Sequence, residues 1–374
     1  MQFQIDKKML QTNLNYVSKA VSSKTPIPAL NGIKFELNQE GLILIGSGLE
    51  LTIKAFIPKV VNEKEIINIQ TTGTMIVNET YITEIVKKVE DDFISFELIE
   101  GNQVRIKTKQ AKFNLNCISA EEYPRIDIIK SDENITFTKA DFKKIISQTV
   151  FAVSRQESRP ILTGVCFDFV GNVVNIAATD SYRLSNKLYT NNGELNANII
   201  IPGKSLMDLN NICNGFGDIT MHVFSNKVMF EFDNVVFQSK LLEGTYPNVS
   251  KLIPTDFETE IIVDSKSLVN TIDRASILSR DKTKNVVKLQ LDNNNAIISS
   301  NSPEVGKIEE SIFIESIKLG SFDISFSARF VREAILSHDC EKVLLKFNGD
   351  MKPIIIVNPE DNTNIQLVLP VRTY

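Results

Sequence analysis

Groups that attack, titrate or ligate are sparse in this chain and badly placed for cooperation. Its two histidines lie far apart: His222 alternates within Thr220 to Phe224 as on a strand, and His338 sits at the end of a helical pattern. A Ser-His-Asp arrangement would need every partner delivered by folding, so both histidines read as structural. None of the cysteines, Cys117, Cys166, Cys213 and Cys340, forms a Cys-x-x-Cys pair. A zinc site built from them is not expected, and they read as reduced, buried thiols. Asp91-Asp92 and Glu121-Glu122 are adjacent acids in polar loops, whereas two-metal sites draw acids from several converging elements. Gly46-Ser47-Gly48 and Gly215-Phe216-Gly217 are turns that lack the spacing of a phosphate loop. No catalytic residue, metal or cofactor is therefore expected. The chain reads as a binding or scaffolding protein.

The elements that could position a binding surface are more informative. A chain of 374 residues, 43% hydrophobic and 23% charged, has room for two or three globular domains. Disordered, fibrous and disulfide-stapled classes are excluded by that composition. Polar and acidic residues at Met1 to Lys8 do not suit a signal peptide, and runs such as Leu42 to Ile45 or Ile354 to Val357 are strand-sized. A cytoplasmic protein with no membrane partner is expected.

The sequence repeats itself three times. Leu10, Leu14, Val17 and Val21 follow the strand that starts near Ile5, at helical spacing. Phe142, Ile146, Thr149 and Val153 follow Phe137 in the same way, and Leu268, Ile272, Ala275 and Ser279 follow Val263. Pro28, Leu30, Gly32 and Phe35 match Pro160, Leu162, Gly164 and Phe167. Within each copy the pattern recurs: helical Tyr81 to Val89, Leu206 to Ile212 and Phe330 to Leu336 each follow a short strand. Tyr123-Pro124 and Tyr246-Pro247 close the first two copies. These signals predict three tandem α+β domains, at 1–128, 129–254 and 255–374, each with two strand–helix–strands units.

Charge is distributed unevenly across the repeats. Lys7, Lys8, Lys19 and Lys24 stand against Asp6 in the first leading segment. Lys139, Lys143, Lys144, Arg155 and Arg159 face Asp141 and Glu157 in the second, and Lys266, Arg274, Arg280, Lys282 and Lys284 face Asp273 and Asp281 in the third. Each segment thus carries an excess of three positive charges on a chain of net charge −5. A recurring basic strip on an acidic body suits a polyanion held through its phosphates, without base readout. Residue patterns alone support a threefold-repeated α+β protein with a polyanion-facing surface. A metal-dependent nucleic-acid enzyme and a structural assembly protein that binds no nucleic acid are the competing readings.

Four motifs and the three-copy layout resemble the bacterial DNA polymerase III beta subunit family, the sliding clamps. They are Arg159-Pro160-Ile161-Leu162-Thr163-Gly164, Ala178-Thr179-Asp180-Ser181-Tyr182-Arg183-Leu184, Glu243-Gly244-Thr245-Tyr246-Pro247, and the ending Leu369-Pro370-Val371-Arg372-Thr373-Tyr374. The resemblance implies a head-to-tail homodimer that closes a ring of six similar domains around duplex DNA, with helices lining the hole. It implies a processivity factor without catalysis, serving the replicative polymerase catalytic subunit, the clamp loader, translesion polymerases and repair proteins.

The same resemblance assigns candidate residues. DNA contacts fall on Lys24, Gln156, Lys204 and Lys251. A ring interface falls on Phe113 and Leu115 of an edge strand and on Ile277 and Leu278. A peptide pocket falls on Leu162, Thr179, Ser181, Arg183, Leu184, Pro247, Leu252, Phe330, Met351, Pro353, Leu367, Leu369, Pro370, Val371 and Arg372, where Arg183 and Arg372 are expected to address peptide carbonyls or acids. Tyr182, Phe330 and Ser327 depart from the residues frequent in the family (histidine, tyrosine and asparagine), which implies a distinct peptide preference. Repetition alone would also suit a closed monomer or a trimer.

Overall fold

A strand runs directly into a helix at each of the three expected starting points. Gln2–Asp6 leads into α1 (Lys7–Val17), Asn134–Thr138 into α3 (Lys139–Thr149) and Thr259–Asp264 into α5 (Ser265–Ser276). Side-chain caps fix two of these junctions: Asp6 accepts the Met9 N–H at 3.0 Å, and Asp264 accepts the Ser267 N–H at 2.7 Å. The second helices of the repeats are α2 (Glu79–Lys88), α4 (Gly203–Ile212) and α6 (Ala328–Leu336). Leu10, Leu14 and Val17 of α1 are buried, as are Leu268, Ile272 and Ala275 of α5, which matches the helical spacing read from the sequence.

The computed structural model describes residues 1–22, 25–279, 285–292, 295–318 and 320–372. The chain forms two compact units. One comprises Met1–Lys139 with Asp208–Leu241, and the other Ala140–Met207 with Leu242–Tyr374. The second repeat is thus shared between them, because strands of neighbouring repeats pair with each other. In the first unit, Val235–Lys240 pairs antiparallel with Leu51–Pro58, placing Val235 opposite Ala55 and Ser239 opposite Leu51. That pairing sits within a thirteen-stranded sheet among the described residues. In the second unit, Arg183–Pro202 pairs with Asp361–Val368, placing Arg183 opposite Val368. Among the described residues, seven strands form that sheet and four more form another beside α5 and α6.

Aromatic packing anchors the first unit, where the Phe3 and Phe96 rings stack with centroids 5.0 Å apart and Phe35 joins Phe96 at 6.2 Å. Each such buried ring stabilises the unit by about 2 kcal/mol. In the second unit, Leu268 and Ile272 of α5 and Val331 and Ile335 of α6 belong to one buried cluster with Phe326 and Phe347. Among the described residues no helix is long and apolar enough to cross a membrane.

Candidate functional site

The second unit brings together much of the expected pocket, starting from a turn that its own side chains hold in place. The Asp180 carboxylate accepts the N–H groups of Tyr182 and Arg183, both at 3.0 Å. The Thr179 hydroxyl donates to the Arg183 carbonyl at 2.6 Å and accepts the Ser181 N–H at 3.1 Å. Ser181, at the tip, takes a φ of 75° that these bonds hold in the left-handed region. Tyr182 is left 64% exposed. Beneath the turn, the buried Tyr246 hydroxyl accepts the Thr179 N–H at 3.0 Å. Burial drives the Tyr246 phenol well above its ordinary pKa, so it stays protonated as a fixed post.

Leu162, Leu184 and Leu367 are buried in one apolar cluster with Ala177, Tyr246 and Val249. Leu252, Met351 and Leu369 are exposed large apolar side chains, and Pro247 is exposed as well. Pro353, Pro370 and Val371 are half-buried and Arg372 is exposed. The C-terminal segment is pinned at two points: the Leu369 N–H donates to the Tyr182 carbonyl at 2.9 Å and the Val371 N–H to the Ser325 carbonyl at 2.7 Å. Apolar and thioether groups of this kind adapt to several partners.

Arg183 also has partners within its own unit. Its guanidinium is buried, pairs with Asp180 at 3.1 Å and with Glu333 of α6, and donates to the Phe151 carbonyl. The Phe330 ring lies 4.4 Å from the guanidinium carbon and the Phe151 ring 5.2 Å. Three of its five N–H donors are engaged inside the unit, so Arg183 holds the turn and Phe330 in place. Sequence reasoning could not have found Glu333, which lies 150 residues away.

A buried polar chain continues from this point. Gln366 donates to the Gln148 carbonyl at 3.1 Å, to Ser185 at 3.0 Å and to Asn364 at 2.8 Å. Asn364 and His338 Nδ1 are 3.2 Å apart, and His338 Nε2 lies 3.0 Å from the Ile356 carbonyl. His338 is a structural joint, as its sequence context indicated.

The candidate DNA contacts fare differently from one another. Lys24 lies outside the described residues. Gln156 is exposed in a loop where its N–H is accepted by Ser154 at 3.0 Å. Lys204 is exposed in the first turn of α4, and Lys251 is exposed in the short turn Ser250–Leu252.

The fold also corrects the charge count. Lys139 is only 1% exposed, and its ammonium is bound by Asp233 at 2.7 Å and by the Asn214 carbonyl at 3.3 Å. Lys19 pairs with Asp208 at 3.5 Å, and Arg274 pairs with Glu310, Nε to Oε2 at 2.8 Å. Arg332 in turn neutralises Asp273 at 3.0 Å. Acids distant in sequence therefore cancel part of each strip. Arg280, Lys282 and Lys284 lie outside the described residues.

At the proposed interface, Phe113 and Leu115 are half-buried in the strand Lys112–Ile118. Over Lys112 to Asn116 that strand pairs with Gln103–Lys107, and it meets Gly73–Asn78 only at Cys117 and Ile118. Its 112–116 stretch therefore has one open edge. A concavity of about 600 Å³ beside Phe113 is lined also by Tyr81, Ile85 and Val89. Ile277, 56% exposed, and Leu278 occupy the turn that follows α5. A second open edge, Gly306–Ile312, went unnoticed in the sequence. Its alternating exposed and half-buried residues were the available signal.

Three family models match in consecutive order: the DNA polymerase III beta subunit N-terminal domain over residues 1–127, its central domain over 136–248 and its C-terminal domain over 250–372. The chain belongs to the DNA polymerase III beta subunit family. The beta sliding clamp of Bacillus subtilis strain 168 is 39% identical over 378 residues, and that of Staphylococcus aureus strain Mu50 is 37% identical over 376, each alignment covering both chains fully. The crystal structure of the DNA polymerase sliding clamp from Bacillus subtilis superposes with a TM-score of 0.96 at 39% identity, again over the whole of both chains. The chain thus consists of three tandem beta-subunit clamp domains.

Proposed function

We propose that this chain is a DNA sliding clamp: two copies pair head to tail into a ring that encircles duplex DNA and tethers the replicative polymerase. The observation that carries this reading is the consecutive match of all three beta-subunit domains over residues 1–372. The open edges at 112–116 and Gly306–Ile312 support the pairing, because two antiparallel edges with complementary apolar residues satisfy each other's backbone groups. Phe113 and Leu115 of one copy would then meet Ile277 and Leu278 of the next. Lys24, Gln156, Lys204 and Lys251 would touch phosphates loosely, which allows sliding, while topology provides retention. The three clamp domains are taken to span 1–128, 129–254 and 255–374.

The chain itself catalyses nothing in this reading and acts in the cytoplasm. The pocket around Leu162, Thr179, Ser181, Arg183, Leu184, Pro247, Leu252, Phe330, Met351, Pro353, Leu367 and Leu369 to Arg372 receives peptides from polymerases, clamp loader and repair proteins, one at a time. Loading the protein on a nicked circular plasmid and then linearising the plasmid tests the reading. Rapid loss through the free ends is expected, and a protein that stays bound to the linear product refutes it.

A further inference from the structure

The first unit holds a second concavity, of about 440 Å³, lined by Lys34, Glu36, Ile45, Lys54 and residues 123 to 128. It is built on the same scaffold as the pocket of the second unit. Short turns opening on proline, Pro28–Asn31 and Pro160–Thr163, precede Gly32 and Gly164. A Cβ on Gly32 would stand 2.5 Å from Ile76 and 3.1 Å from the Val77 carbonyl; on Gly164 it would stand 2.6 Å from Ile200 and 3.0 Å from the Ile201 carbonyl. Tyr123, buried like Tyr246, donates its hydroxyl to the Ile45 carbonyl at 3.2 Å. The strand between repeats ends identically too, with Lys240 N–H to the Glu50 carbonyl at 2.9 Å where the other unit has Leu369 to Tyr182 at 2.9 Å.

The two sites diverge in charge. By strand register, Lys34 stands where the second unit has Cys166, and Lys54 where it has Asn186. Arg125 takes the place of Asn248, two residues past the shared tyrosine, and Lys227 takes the place of Pro353. Lys227 sits at the rim, its ammonium 3.1 Å from Gln238 and 3.4 Å from the Asp127 carbonyl. Lys34 pairs with Glu36 at 2.5 Å, while no ion-pair partner is found for Lys54 or Arg125 among the described residues.

We propose that this concavity docks an extended acidic peptide segment with aliphatic residues between its carboxylates. Lys34, Ile45 and Lys54 lie opposite one another on three adjacent strands, so the two lysines flank an apolar floor about 10 Å apart. An extended chain in the polyproline II form returns to the same side every third residue, advancing about 9 Å. A carboxylate pair three residues apart therefore meets both lysines, and the intervening side chains meet Ile45, Ile126 and Ile128. A nucleic-acid backbone fits less well, since it carries no apolar side chains to set against Ile45, Ile126 and Ile128. The inference rests on the peptide-docking reading of the second unit only for its analogy of scaffold.

Fluorescence anisotropy of labelled Ser-Asp-Leu-Ile-Glu-Ser against the full-length protein tests it. Binding is expected that weakens about tenfold in Arg125→Glu and in Lys54→Ala, and that Met351→Glu leaves unchanged. Melting temperatures of the variants establish that they fold. No binding to wild type, loss in Met351→Glu instead, or displacement of the peptide by a short DNA duplex would each overturn the proposal. An apolar Leu-Phe peptide lost only in Met351→Glu would meanwhile uphold the reading of the other pocket, so the two can fail separately.

Discussion

Both carboxylate oxygens of Asp233 lie 2.7 Å from the ammonium of Lys139, the first residue of α3. The pair is lopsided: Lys139 is 1% exposed while the Asp233 side chain is 60% exposed. Removing each partner should therefore cost differently. Asp233→Asn strips a buried ammonium of its counter-charge and is expected to destabilise by about 3 kcal/mol. Lys139→Met leaves a carboxylate that water solvates, and should cost about 1 kcal/mol. Urea unfolding of both variants checks the order. Equal losses, or a weaker salt dependence of DNA binding in Lys139→Met, would return Lys139 to the polyanion-facing strip.

This pair marks where the sequence stops being legible. Helix starts were readable because caps and apolar periodicity are local: Asp6 bonds Met9 and Asp264 bonds Ser267, each three residues away. The repeats were readable because the same local grammar recurs. Lys139 and Asp233 are 94 residues apart, and Arg183 and Glu333 are 150 apart. Nothing local announces such pairs, so a charge count treats paired and solvated cations alike. Strand pairing between repeats is hidden for the same reason, because Val235 and Ala55 meet only once the sheet is assembled. Thr179 and Leu184 are buried while Tyr182 between them is exposed, a division that the local pattern does not announce.

His338 should make the second unit acid-sensitive. Burial pulls its pKa down from 6.5 to about 4, against the opposing effect of its hydrogen bond to the Ile356 carbonyl. Lys187 adds to the depression and Asp361 opposes it. The folded state therefore favours the neutral ring. Stability from this group is complete above about pH 6.5 and is lost as pH falls toward 4, by roughly 3 kcal/mol in all. Chemical denaturation of wild type and His338→Gln at pH 7.5 and pH 4.5 isolates the effect. The variant should be less stable at pH 7.5 and should lose less on acidification; parallel losses would assign the acid sensitivity to other groups.

Lys204 and Lys251 are expected to act on DNA only through phosphate. Each alanine substitution should weaken binding to unrelated duplexes to the same extent and lower the slope of log affinity against log salt by about 1. Gln156→Ala carries no charge change, so it should weaken binding without altering that slope. Titrations of labelled duplexes from low to moderate salt give both quantities. A sequence-dependent loss in either lysine variant would mean base readout, which a sliding surface does not need.

Leu278 offers the sharpest test of assembly. It follows the 56% exposed Ile277 in the turn after α5, and in the proposed dimer this apolar pair would meet Phe113 of another copy. Leu278→Asp would place an unpaired carboxylate in an apolar interface, which costs several kcal/mol of association free energy. The fold should survive, because Leu278 is only half-buried within its own chain. Sedimentation of wild type should report about twice 42.0 kDa, and the variant 42.0 kDa with an unchanged circular dichroism spectrum. Phe113→Asp should behave likewise, since it acts from the other side of the same contact. A variant that remains dimeric would move the interface away from these residues, and the open edge at 112–116 would then need another partner.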